Sequence, residues 1–186
     1  MLSHADSFAE LFGSQSSATH DFGCNSLLTG TWLPHLCAAV DLLWDSLPKK
    51  TQSHVIQDVV LPAVTFLRSK ERGDSNWQTA HSSGIFAAGL LLDDQQLIYI
   101  ALDDPANGIR RHLSTAFRDD GFHWEGSITY HFTTLSHLLI AAEMGRNCGI
   151  DLYAEASDKP YIKNMLDAPI ACAFPDSSKF VSPPAP

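Results

Sequence analysis

The sequence predicts an all-α fold of antiparallel helix pairs, and three observations lead to that reading. Apolar residues recur at spacings of three and four through most of the chain. The periodic segments, each roughly 10–20 residues long, are joined by short links, as in helix pairs. No stretch shows the apolar–polar alternation of a half-buried strand.

Residues 1–30 are rich in Ser and Gly and have few periodic apolar positions, so they read as a loop-rich segment with room for one short helix. From Trp32 onward, Leu33, Leu36, Cys37, Val40, Leu43 and Trp44 form a helical stripe that Pro48 ends. A second helix is expected over 49–68, burying Val55, Ile56, Val59, Val60, Val64 and Leu67. Pro62 should kink or split it, because proline removes a backbone bond and crowds the preceding turn. The polar run SKERGDS marks a loop. A third helix, over 77–92, sets small residues (Ala80, Ser82, Ser83, Gly84, Ala87, Ala88, Gly89) between large apolar ones, the composition of a central, closely packed helix. A short helix is expected over 94–101, and another from near Pro105 to near Phe117. Asp119, Asp120 and Gly121 signal a turn. Ser127 or Thr129 can cap a long helix reaching Asn147, with Ile128, Phe132, Leu135, Leu138, Leu139 and Ala142 inside and Gly149 as its stop. A last helix is expected over 159–171, and the tail FPDSSKFVSPPAP reads as extended or disordered.

The 186 residues fit one domain, and 45% hydrophobic with 18% charged residues is ordinary for a globular chain with a real core. A net charge of -9 argues against nucleic acid and weighs mildly against any acidic polymer unless a local cationic cleft exists. Cys24, Cys37, Cys148 and Cys172 fit no zinc spacing and read as buried free thiols. The N-terminus lacks the basic and apolar regions of a signal peptide, and no apolar run is long enough for a membrane span.

Two clusters hold groups capable of chemistry. Asn76-Trp77-Gln78-Thr79-Ala80-His81 opens the small-residue helix, and the run from Gly121 through His123, Trp124, Glu125 and Tyr130 to His131 leads into the long one. Helix beginnings offer unpaired N–H donors and partial positive charge, which suit carboxylates. Two such ends facing each other would make a small cationic pocket on an acidic protein. Each residue also has a structural reading. Asn76 fits a helix N-cap, Tyr130 and His81 fit core packing, and Trp77 and Trp124 fit the core better than a sugar platform. His131 reads more readily as structural, and Glu125 can simply cap a turn. His35, His54, His112 and His137 lie within helices and read as structural. Neither a metal-ligand spacing nor a nucleophile elbow occurs.

The segments NWQTAHSSGIFAAGLLL and DDGFHWEGSITYHFTTLSHLLIAAEMGRNCGIDLY, followed by DAPIACAFPD, resemble the helical domain of alginate lyase and heparinase II/III-like polysaccharide lyases over roughly residues 30–176. The resemblance implies an incomplete (α/α) toroid, with a loop-rich segment over 1–30, the toroid domain over 31–174 and a proline-rich tail over 175–186. It implies a β-sheet domain in a longer parent, a periplasmic or secreted location and an acidic polysaccharide as substrate; no cofactor is expected, and no metal site is expected within this chain. Nucleic acid and membrane are not expected partners. The implied reaction is β-elimination at a uronic acid, leaving a 4,5-unsaturated sugar. A non-catalytic carbohydrate-binding module and an inactive truncated product are the alternatives.

That chemistry explains the residue types. The C5 proton of a uronate is barely acidic, so the transition state resembles an enolate dianion, and donors aimed at the carboxylate stabilise the growing charge. An amide donates without titrating, an imidazole titrates near neutrality, and a phenol serves as acid or base where cationic neighbours lower its pKa. The resemblance therefore implies Tyr130 as catalytic acid and conceivable base, and His81 as base or carboxylate neutraliser. Asn76 is the carboxylate-binding amide, with Trp77, Trp124, Glu125, His131 and His123 as further contacts. Relatives often place an asparagine next to a histidine, whereas Asn76 and His81 stand apart here.

Overall fold

The computed structural model describes residues 25–154 and 161–173. These form helices joined by short loops, with one isolated antiparallel bridge between Phe117 and His123 and no strand among the described residues. The expectations for residues 1–24 and for the tail beyond 173 lie outside the described residues.

Helix α1 (Ser26–Leu43) starts earlier than the apolar stripe predicts. The Asn25 side chain caps it by accepting the Leu28 N–H. Its first turns look loop-like in sequence because they are small and polar, yet Ser26, Thr29 and Gly30 are buried. They form the face that crosses α3 (Asn76–Leu92). A Cβ on Gly30 would stand 2.5 Å from the Ala80 carbonyl carbon, so only glycine permits this approach.

Helix α2 occupies residues 49–68 in three registers: α over Lys49–His54, π over Val55–Val60, and α again over Leu61–Arg68. Pro62 sits at the start of the last part. It cannot bond back to Asp58, and the π turn just before it takes up the mismatch without breaking the helix. The expected kink is thus a change of register.

Helix α3 packs against α1, the last part of α2, α4 (Gln95–Asp103), α5 (Ile109–Thr115) and α6 (Ile128–Asn147). It is buried on every side from Gln78 to Gly89, as its small residues predict. Leu33, Val60, Leu67, Phe86 and Leu138 meet around it. Helix α7 (Tyr161–Ala171) closes against α5 and α6, with Met165 buried. Helix α5 begins later than expected from Pro105, because Asp104 first turns the chain by accepting the Ala106 and Asn107 N–H groups.

Helix α6 is rotated from its predicted face. His131, Thr134, Leu135, His137, Leu138, Ala141 and Ala142 point inward, while Phe132 is substantially exposed. Of the thiols, Cys37 is buried, but Cys148 is exposed and Cys172 is partly so, against the expectation of uniform burial. No helix among the described residues is long and apolar enough to cross a membrane.

Candidate functional site

The loop before α3 is fastened on several sides. The Gly73 N–H donates to the Asn107 side chain, and the Asp74 carboxylate accepts from Arg111 and Thr115. These donors hold the Asp74 carboxyl below the ordinary carboxylate range despite the opposing effect of burial. Ser75, not Asn76, is the N-cap, its Oγ accepting the Trp77 N–H at 3.1 Å. Asn76 is the first helical residue and is buried. Arg72, which falls in a polar loop by sequence, lies over the Trp77 ring at 5.1 Å.

The loop before α6 folds back onto this point. The Arg118 N–H bonds the Phe122 carbonyl, and the Trp124 N–H bonds Ala116, which brings residues 122–126 against the start of α3. Gly126, with φ of 69°, makes the turn into Ser127, whose Oγ caps α6 by accepting the Tyr130 N–H. The Trp124 indole N–H donates to the Asp74 carbonyl at 2.8 Å. The Glu125 carboxylate accepts the Asn76 backbone N–H at 3.3 Å and its side-chain amide at 2.5 Å. Two helix beginnings therefore meet, and the negative charge between them is the protein's own.

The expected site residues divide into exposed and enclosed groups. Tyr130 is 50% exposed and Trp124 47%, both open to a ligand. Trp77 is half-buried under Arg72. His81 has no exposed surface, and neither ring nitrogen has a hydrogen-bond partner among the described residues. Burial, then the charges of Arg72 and His137, push it down to about 4. A neutral, enclosed His81 cannot touch a substrate in this arrangement. His131 is also fully buried, and both its nitrogens are engaged. One accepts the His123 backbone N–H at 3.3 Å, and the other donates to the Met165 carbonyl at 2.9 Å. It braces α6 against α7 and the 121–127 loop. His123 is buried, stacks on His112 at 5.4 Å and lies 3.7 Å from Glu125, beyond hydrogen-bond length. Among the described residues no group of side chains is arranged to hold a metal ion.

The sequence model of the heparinase II/III N-terminus family matches residues 58–183. The chain belongs to the heparinase II/III N-terminal family. That match spans α3, α6 and both joined helix starts. No curated protein matches the chain. The family points to polysaccharide lyases as the broad enzyme class of this heparinase II/III-type chain.

What the joined starts of this heparinase II/III-type domain can do follows from their groups. They carry an exposed phenol at Tyr130, a half-exposed indole at Trp124, a guanidinium over Trp77, and a carboxylate already bonded to Asn76. Sequence reasoning found the first two and missed Arg72. Its position five residues before Trp77 follows no helical period, and the turn at Gly73 that places it is made by a tertiary contact to Asn107.

Proposed function

We propose that this chain is the helical part of a polysaccharide lyase that cleaves a uronate polymer by β-elimination, its helices forming one arc of an incomplete (α/α) toroid. The observation that supports it best is the meeting of the α3 and α6 beginnings within the family match, with Tyr130 exposed one turn into α6. The Tyr130 phenol donates its proton to the departing glycosidic oxygen. With His81 enclosed, Tyr130 as the phenolate would first take the C5 proton, and the proton it hands to the glycosidic oxygen is that one. The Asn76 amide can pair with a sugar carboxylate only when Glu125 yields its place. His81 reaches substrate only if α3 and α6 part. A β-sheet domain in a longer parent would complete the cleft.

The second reading is a non-catalytic helical module that binds carbohydrate. The burial of Asn76 and His81 favours it. Turnover separates the two. With polyuronates, a lyase generates the ultraviolet absorbance of unsaturated ends, and Tyr130→Phe abolishes it. A binding module retains the polymer and generates none.

A further inference from the structure

An acidic polymer approaching a chain of net charge -9 needs a cation at the point of contact. Arg110, Arg111, Arg118 and Arg146 each hold a carboxylate of the protein itself. Arg72 pairs with none among the described residues. Asp74, two positions on, is committed to Arg111 and Thr115. Glu71, next in the chain, forms no ion pair with Arg72. The Arg72 side chain is exposed, and its guanidinium lies 5.1 Å above the half-buried Trp77 ring.

The backbone beneath it is fixed. The Arg72 N–H donates to the Gln78 side chain at 2.7 Å, and the next residue is tied to Asn107. A guanidinium held over an indole has already lost much of its rotamer freedom. Its edge N–H groups remain available for a two-point bond to a carboxylate. Trp77 adjoins Asn76, which bonds Glu125 on the other helix start. The charge of Arg72 is also felt at His81 inside α3.

We infer that Arg72, held over the Trp77 indole, grips the substrate carboxylate and sets the preference for a uronate over a neutral sugar. The inference rests on the uronate reading above and assigns the carboxylate to a group that sequence reasoning did not single out. It leaves Asn76 bonded to Glu125 in the resting protein.

The test is binding and turnover of a (1→4)-linked hexuronate trisaccharide and of its carboxyl-reduced counterpart, using the full chain at low ionic strength. Arg72→Gln should weaken binding of the acidic sugar roughly 10–100-fold and leave binding of the reduced sugar unchanged. Arg72→Lys should recover part of the loss, and Trp77→Ala should show an intermediate loss with Arg72 intact. Thermal melting should differ little between Arg72→Gln and the parent, because only the exposed contact with the Trp77 ring is lost. If the acidic sugar binds but is not cleaved, and Arg72→Gln loses binding, the inference stands and the lyase reading falls. If it is cleaved with equal affinity by the parent and Arg72→Gln, the inference falls and the lyase reading stands. If the parent binds no acidic sugar, both fall.

Discussion

Glu125 is the residue on which the candidate site turns. By sequence it was read as a substrate contact or as a residue capping its own turn. It caps a different helix instead, α3, 49 residues earlier in the chain. Removing its carboxylate leaves the buried Asn76 amide and a helix-end N–H without an acceptor. Glu125→Ala should therefore cost about 1–3 kcal/mol by urea unfolding, and Glu125→Gln less, since one acceptor oxygen remains. Equal midpoints for all three proteins would mean that the contact does not form in solution. Buried histidines add a second prediction at this scale. Burial holds His81 and His137 down to about 4, and His112 down to about 3. Below pH 6.5 the unfolded chain takes up protons on these rings that the folded chain refuses. Stability should thus be full above pH 6.5 and fall as pH drops toward 4, by up to about 1.4 kcal/mol per pH unit for each ring. Urea midpoints over that range measure it, and a flat profile would contradict it. Helical position gave His35, His54, His112 and His137 the same structural reading, yet only His112 and His137 are buried. For His81 a core reading stood beside the catalytic one, and the choice depended on which helix crosses above it.

At the scale of elements, periodicity located the interior helices well and misjudged those whose packing uses small or polar residues. Helix α3 ran almost as predicted, and its small residues announced a central position. The start of α1 was missed because Ser26, Thr29 and Gly30 have no apolar signal, although they line a close crossing. Gly30→Ala tests that crossing. The added Cβ meets backbone on α3, not the end of a flexible side chain, so the helices must separate. A loss of about 1–3 kcal/mol is expected in thermal or urea melting. An unchanged melting temperature would show that the two helices are not in contact there. On α6 the apolar residues misled. The inward face carries His131, Thr134 and His137, and Phe132 is left partly in solvent. Hydrophobic periodicity cannot reveal a face built from imidazoles and hydroxyls, since these score as polar whether or not they are enclosed.

For the molecule as a whole, an acidic, helical chain of the heparinase II/III N-terminal family brings two helix beginnings together and fills the gap with its own carboxylate. The all-helical class and the pairing of the two motifs were readable in sequence. The closing of that gap by Glu125 and the seating of Arg72 over Trp77 were not, and sequence could not choose between an enclosed and an accessible His81, because each depends on contacts between distant segments. The central claim is that Tyr130, at the start of α6, performs β-elimination on a uronate polymer. The most direct measurement is mass-spectrometric detection of 4,5-unsaturated ends after incubating the full chain, and its Tyr130→Phe variant, with a broad panel of polyuronates. The account predicts unsaturated products from the parent and a rate at least about 100-fold lower from the variant. Saturated products only, no products across the panel, or equal rates from the two proteins would contradict it.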